Sequence, residues 1–160
     1  MLTIRPAAKT DYAAILNWNA DQDEAYLFQW AGFTAYQHPL TEEQIAKQAK
    51  KETVQIFMVC NDEIPIGTIE LNDIDPIAKT GRICRVLFSE KARGKGWGEA
   101  ALRLLIRYAH ETFGITSFSL RVFCFNISAI RCYEKVGFRV AEYFEEKDPH
   151  WNNYSMELKK

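Results

Sequence analysis

The feature that most constrains this chain is a glycine-rich hexapeptide, Arg93-Gly94-Lys95-Gly96-Trp97-Gly98, set between an apolar run at 81–88 and an amphipathic run that ends at Gly114. Three glycines at alternate positions leave successive backbone N–H groups uncovered, and a helix starting behind them adds about half a positive charge. Lys91, Arg93 and Lys95 add formal charge, and no carboxylate falls between Glu90 and Glu99. The pattern predicts an anion cradle for a diphosphate at a strand-to-helix junction. A turn that merely caps a helix is the plainer use of the same residues.

Two familiar phosphate loops do not fit. A Walker A loop needs Gly-Lys followed by Ser or Thr, whereas Gly96 follows Lys95, and its first glycine would fall on Ser89. A dinucleotide fingerprint starting at Gly94 would put its third glycine on Glu99, and the preceding strand and loop do not begin a parallel β-α-β unit.

The rest of the chain alternates between the two periods of regular structure. Residues 2–5 read as a first strand, and Thr10-Asp11 as the cap of a short helix through Ile15, Leu16 and Trp18. Residues 21–40 are rich in aromatics and follow neither period. Thr41-Glu42-Glu43-Gln44 fits a capping box, opening a helix with Ile45, Ala46 and Ala49 on one face. Strands follow at 54–60, 64–71 and 81–88, with a loop across 73–79 between the last two. In the helix behind the glycines, Ala101, Leu104, Leu105 and Tyr108 share a face. A strand at 117–125 leads to Asn126 and Ser128, candidate caps for a helix carrying Ala129, Cys132, Tyr133 and Val136, and Gly137 stops it. Strands at 138–144 and 151–158 complete an α/β (α+β) pattern. The expected architecture is a central mixed, mostly antiparallel twisted sheet of about six to seven strands flanked by about four helices. No repeat, linker or low-complexity tract offers a boundary, so residues 1–160 are expected to form a single domain.

Composition narrows the function classes. With 160 residues, 48% of them hydrophobic and 13% aromatic, the chain can close one substantial core. A formal net charge of −1 gives no global attraction to nucleic acid or an anionic membrane. Residues 1–5 run into Pro6 without the apolar stretch of a secretory signal, and no apolar run approaches the roughly 20 residues of a membrane span. A cytoplasmic location is therefore expected. Cys60, Cys84, Cys124 and Cys132 form no Cys-x-x-Cys pair, and His38, His110 and His150 lie near none of them in sequence. They read as reduced core thiols rather than metal ligands, so no metal site is expected.

The hexapeptide on its strand resembles the acyl-CoA pyrophosphate loop of the GNAT superfamily of N-acyltransferases, whose core is Arg or Gln, two residues, Gly, one residue, Gly or Ala. Arg93, Gly96 and Gly98 match it. A second element, Asn126, Ser128-Ala129, then Tyr133-Glu134-Lys135-Val136-Gly137-Phe138, resembles that family's Asn…Ala…Tyr-Glu-Lys-x-Gly-Phe segment and comes in the right order. The resemblance is sharp over about 81–140. It implies acetyl-CoA as co-substrate, with backbone groups of Val86, Leu87 and Phe88 meeting the pantetheine arm. By the same resemblance Arg93, Gly94, Lys95, Gly96, Trp97 and Gly98 hold the pyrophosphate, Asn126 contacts the cofactor arm, and Tyr133 stands near the sulfur and protonates the departing thiolate.

The chemistry also follows from elementary reactivity. An alkylammonium of pKa about 10 is neutral only about once in a thousand at pH 7, so attack on a thioester requires loss of a proton. The tetrahedral oxyanion needs a donor, whereas the thiolate, with a thiol pKa near 8.5, leaves readily. Tyr133 therefore assists rather than decides, and a tyrosine on the apolar face of a helix also serves as core. Many family members carry a glutamate early in the strand before the loop, but this strand begins Gly81-Arg82-Ile83-Cys84-Arg85. Glu70, on the preceding strand, is the expected general base, with Asp73 and Glu24 behind it. A solvated strand glutamate is the bland reading of the same residue.

No Gly-x-Ser-x-Gly is present, and no histidine accompanies a poised serine or cysteine, which argues against a nucleophilic hydrolase. The expectation is an N-acetyltransferase moving an acetyl group to a primary amine, of a small molecule or a protein N-terminus, by direct attack. An acyl-CoA sensor without turnover, or an O-acyl enzyme on the same scaffold, are the alternatives. Trp30, Phe33, Tyr36, Trp151 and Tyr154 are candidates for the acceptor wall or for ordinary core. A monomer or homodimer is expected.

Overall fold

The computed structural model describes residues 1–32 and 34–160. Phe33, a candidate for the acceptor wall, lies outside the described residues. Seven strands form one sheet in the order β1-β2-β3-β4-β5-β7-β6. They are β1 Leu2–Pro6, β2 Gln55–Asn61, β3 Ile64–Asp75, β4 Thr80–Phe88, β5 Ser117–Phe123, β6 Arg139–Phe144 and β7 Asn153–Lys159. Five α-helices accompany them: α1 Tyr12–Asn19, α2 Glu24–Ala31, α3 Glu42–Ala49, α4 Trp97–Phe113 and α5 Ile127–Val136.

Each sheet face has its own core, as strand alternation requires. On one face Phe57, Ile69, Leu71, Ile83, Phe118 and Leu120 pack with Leu102, Leu105 and Ala109 of α4, and α5 closes over the same side. On the other, Ile56, Met58 and Cys60 meet Tyr12, Ile15, Leu27 and Ile45 from the first three helices. Full burial of each large apolar side chain contributes roughly 1.5–3 kcal/mol. The core face of α4 is centred on Leu102, Leu105 and Ala109, rotated from the expected stripe, so Leu104 and Tyr108 are only half-buried.

Helix α2 falls in the aperiodic aromatic stretch; Asp23 caps it by accepting from the Tyr26 N–H at 2.8 Å, and Gly32 follows with a positive φ of 67°. The expected capping box of α3 is half realised. Thr41 Oγ1 accepts from the Gln44 N–H, but the Gln44 amide turns outward, accepting from the Gln37 N–H and donating to the Gln37 and Pro39 carbonyls. Asp11 does not cap α1 with its side chain; it accepts from Arg5 at 2.7 and 2.8 Å and from the Ala8 N–H. The loop expected across 73–79 is shorter, because β3 continues to Asp75, paired with Thr80, around an irregularity at Asp73.

Two departures from regular pairing create the site. Between the pairs Thr68↔Leu87 and Glu70↔Cys84, β4 gains one residue over β3, and Arg85 sits there with φ 52°. Strands β4 and β5 then pair in parallel only through Thr80, Gly81 and Arg82. Beyond Arg82 the two strands part.

Candidate active site

The gap between the parted strands opens into a cleft of about 1050 Å³ that passes from one face of the sheet to the other. On the α4 side its wall carries Arg93, Gly94, Gly96, Trp97 and Gly98 with Asn126, Ala129, Cys132 and Tyr133. On the α2 side it carries Phe28, Trp30, Arg121, Phe123, Trp151 and Asn153. Val86, Leu87 and Phe88 line it along the free edge of β4. The residues expected to contact the cofactor thus come together from β4, the glycine loop and α5, with one exception. Lys95 is not on the wall; its Nζ lies 5.2 Å from the centroid of the Trp97 ring.

The loop geometry explains its composition. Gly94 and Gly96 adopt positive φ values of 74° and 75°, and Gly96 is the N-cap residue of α4 without any side-chain cap. A β-carbon at either position would meet no atom within 4 Å, so backbone conformation, not space, demands glycine. The first N–H groups of α4 therefore remain uncovered beside the cleft. Arg93 donates through Nε to the Phe88 carbonyl at 3.3 Å and through Nη2 to the Tyr26 hydroxyl, tying the loop to both β4 and α2.

Asn126 caps α5, its Oδ1 accepting from the Ala129 N–H at 3.4 Å. That cap aims α5 so that Tyr133 lies on the cleft, its ring packed edge-on to Phe138 at 6.2 Å between centroids. Burial, with Cys132 and Cys84 adding to it, pushes the Tyr133 hydroxyl well above the ordinary tyrosine value. The phenol is protonated throughout the physiological range and can serve as a proton donor. Cys84, also on the wall, is pushed up to about 12, chiefly by burial and next by the charge of Glu70, which leaves it an unreactive thiol.

Glu70 does not reach the cleft wall. It is 2% exposed, and its carboxylate accepts from the Tyr36 hydroxyl at 2.9 Å, Gln48 Nε2 at 3.0 Å, Asn72 Nδ2 at 3.1 Å and Arg85 Nη1 at 3.1 Å. The β4 bulge places Arg85 on the same face as Glu70 and in front of it, and Arg85 also donates to the Ala31 carbonyl and Thr34 Oγ1. Strand spacing alone gave no sign of the bulge, so Arg85 went unassigned; a basic residue within an apolar strand was the available signal. Asp73 is exposed and lies 3.4 Å from Arg82, and neither it nor Glu24 lines the cleft. Of the acceptor-wall candidates Trp30 and Trp151 are on the wall, Tyr36 is buried against Glu70, and Tyr154 faces the other side of the sheet. Phe28 and Phe123, stacked at 5.5 Å, were not foreseen.

A family model described as an acetyltransferase (GNAT) domain matches residues 1–139. The chain belongs to the GNAT acetyltransferases. Among solved structures, the spermidine N-acetyltransferase from Vibrio cholerae in complex with CoA and spermine aligns with a TM-score of 0.80 at 18% identity, covering 99% of this chain and 95% of that one. A dodecameric structure of spermidine N-acetyltransferase from the same organism gives a TM-score of 0.76 at 20% identity, over 99% and 93% of the two chains. These likenesses show that the GNAT fold extends over nearly the whole chain. The spermine/spermidine N(1)-acetyltransferase of Bacillus subtilis (strain 168) is 35% identical over 69 residues, so the match spans 42% of this chain and 45% of that relative. Among the described residues no group of His, Cys, Asp and Glu is placed to hold a metal, and no helix is long and apolar enough to cross a membrane.

Proposed function

We propose that this GNAT chain transfers an acetyl group from acetyl-CoA to a primary amine, of a small molecule or a peptide N-terminus, by direct attack in a ternary complex. The observation that carries the reading is the parting of β4 and β5 beyond Arg82, which joins the glycine loop on one face to an aromatic pocket on the other. A thioester held in that gap presents its carbonyl to an amine arriving from the α2 side, while its phosphates stay with the loop.

In this reading the first N–H groups of α4 and the guanidinium of Arg93 hold the pyrophosphate, with Lys95 adding charge near the mouth. The unpaired edge of β4 at Val86, Leu87 and Phe88 hydrogen-bonds the pantetheine amides as a neighbouring strand would. Asn126 contacts the same arm. Tyr133 gives its proton to the thiolate as the C–S bond breaks, and the amine nitrogen takes the acyl carbon and loses its proton to solvent. Glu70 enters as a positioning residue: its buried carboxylate accepts from four donors away from the cleft wall, and it fixes Arg85 in the cleft floor. The proposed assembly is a monomer or a homodimer. The four free cysteines suit a reducing cytoplasm.

Release of CoA thiol from acetyl-CoA, followed with amino acids, short peptides, monoamines and polyamines including spermidine, tests the reading. Steady release that depends on an amine is expected. Binding of acetyl-CoA without release by any amine would instead identify a sensor.

A further inference from the structure

The charges on the acceptor side of the cleft point to one class of amine. Leu120 and Val122 face α4, so the alternate residues of β5, Arg121 and Phe123, face α2, away from the glycine loop. Three arginines share this side of the cleft wall. Arg85 is paired with Glu70 and Arg82 with Asp73, but among the described residues Arg121 has no carboxylate within ion-pair distance. The phosphates of the donor are held on the opposite face, so they do not account for it.

Arg121 is held as a ready-made fork. Its Nε donates to Asn153 Oδ1 at 2.8 Å, and its guanidinium carbon lies 3.8 Å from the centroid of the Phe144 ring. Asn153 is buried, and its own Nδ2 donates to Glu146 Oε1 at 3.2 Å and to the Trp151 carbonyl at 3.1 Å, which fixes the amide so that its oxygen faces Arg121. Glu146 and Asp148 also line the cleft, but Glu146 Oε1 accepts from Asn153 and neither carboxylate lies within ion-pair distance of Arg121. Both terminal nitrogens of Arg121 lack a protein acceptor among the described residues, while the ring and the buried amide have already removed much of the side chain's freedom. A planar guanidinium presented this way matches a carboxylate through two parallel hydrogen bonds and repels a second ammonium.

We infer that the acceptor is a primary amine that also carries a carboxylate, and that Arg121 selects it by binding that carboxylate. This inference rests on the N-acetyltransferase reading and narrows its acceptor; it predicts a preference opposite to that for a polycation.

The test is a matched series of aliphatic primary amines of several chain lengths whose far end is a carboxylate, a carboxamide or a second ammonium. Amine pKa values then stay comparable while the distal charge changes. Wild-type kcat/KM, from thiol release, is expected to favour the carboxylate over the carboxamide of the best length by roughly 10- to 100-fold, with the diamine poorest. In Arg121→Gln that ratio is expected to fall to about one, and Arg121→Lys, which keeps the charge but not the fork, to recover part of it. Stabilisation of both variants by CoA, equal to that of the wild type, would show that the donor site is intact. A diamine or carboxamide used as well as the carboxylate, or a preference that survives Arg121→Gln, would overturn the inference while leaving amine acetylation standing. Absence of thiol release with every amine would overturn the N-acetyltransferase reading, and this inference with it.

Discussion

Tyr133 and Glu70 show how burial assigns roles to titratable groups. The raised value of the Tyr133 hydroxyl means that the acid form persists until well above pH 10, because burial disfavours the phenolate. The sign for stability follows: the contribution of the neutral phenol, half-buried on the cleft wall, is present below the unfolded tyrosine value of about 10 and is lost as pH rises through the higher folded value. Tyr133→Phe is expected to lower kcat by about 10- to 100-fold, and the wild-type kcat profile to show no descending limb at or below pH 10 from this group. Unchanged turnover across pH would reduce the hydroxyl to packing. Glu70→Gln separates the two roles of a carboxylate. It strips the charge facing Arg85, which is 6% exposed at its side chain, and should cost about 3–5 kcal/mol in urea unfolding. The ascending limb of the kcat/KM profile should stay where it is; a shift would restore Glu70 as the base.

At the scale of elements, the close approach of β3 and β4 sets the geometry of the free β4 edge at Val86, Leu87 and Phe88. A β-carbon on Gly67 would lie 2.7 Å from Phe88 Cδ1 and 2.8 Å from the Leu87 carbonyl oxygen, and the oxygen cannot move without moving β4. Gly67→Ala is therefore expected to cost about 1–3 kcal/mol and to raise the KM for acetyl-CoA more than that for the amine. Equal effects on both would mean that the β4 edge does not hold the donor. Elements with a strong period were legible in the sequence: the strand, glycine loop and amphipathic helix at 81–113, and the Asn126-capped helix that carries Tyr133. Helix α2 was not, because Tyr26, Phe28 and Trp30 spread their rings to a cleft wall and to Arg93 rather than to one core, which erases a 3.6-residue stripe. The bulge at Arg85 was equally hidden. An inserted residue is visible only against its partner strand, and it turned the expected base into the buried partner of an arginine. Arg121 carried no motif at all, and its place became visible only when β5, β7 and the 144–152 segment were assembled around Asn153.

The whole molecule is a sheet divided down its middle, with the glycine loop on the face of α4 and α5 and the aromatic wall with Arg121 on the face of α1 to α3. In the proposed reading, this division lets one fold keep its donor loop while the walls around Phe28, Arg121 and Trp151 change with the acceptor. It also makes donor binding separable from turnover. The most direct measurement is thermal unfolding of the protein alone and with acetyl-CoA, CoA, NAD or ATP. A ligand present at about 100 times its Kd adds about 2.7 kcal/mol to a native state that alone binds it, and for a chain of this size each kcal/mol raises Tm by roughly 2–4 °C. A clear rise with acetyl-CoA and CoA and little with NAD or ATP is expected. No rise with either CoA species at high concentration, or a larger one with NAD or ATP, would contradict the N-acetyltransferase reading.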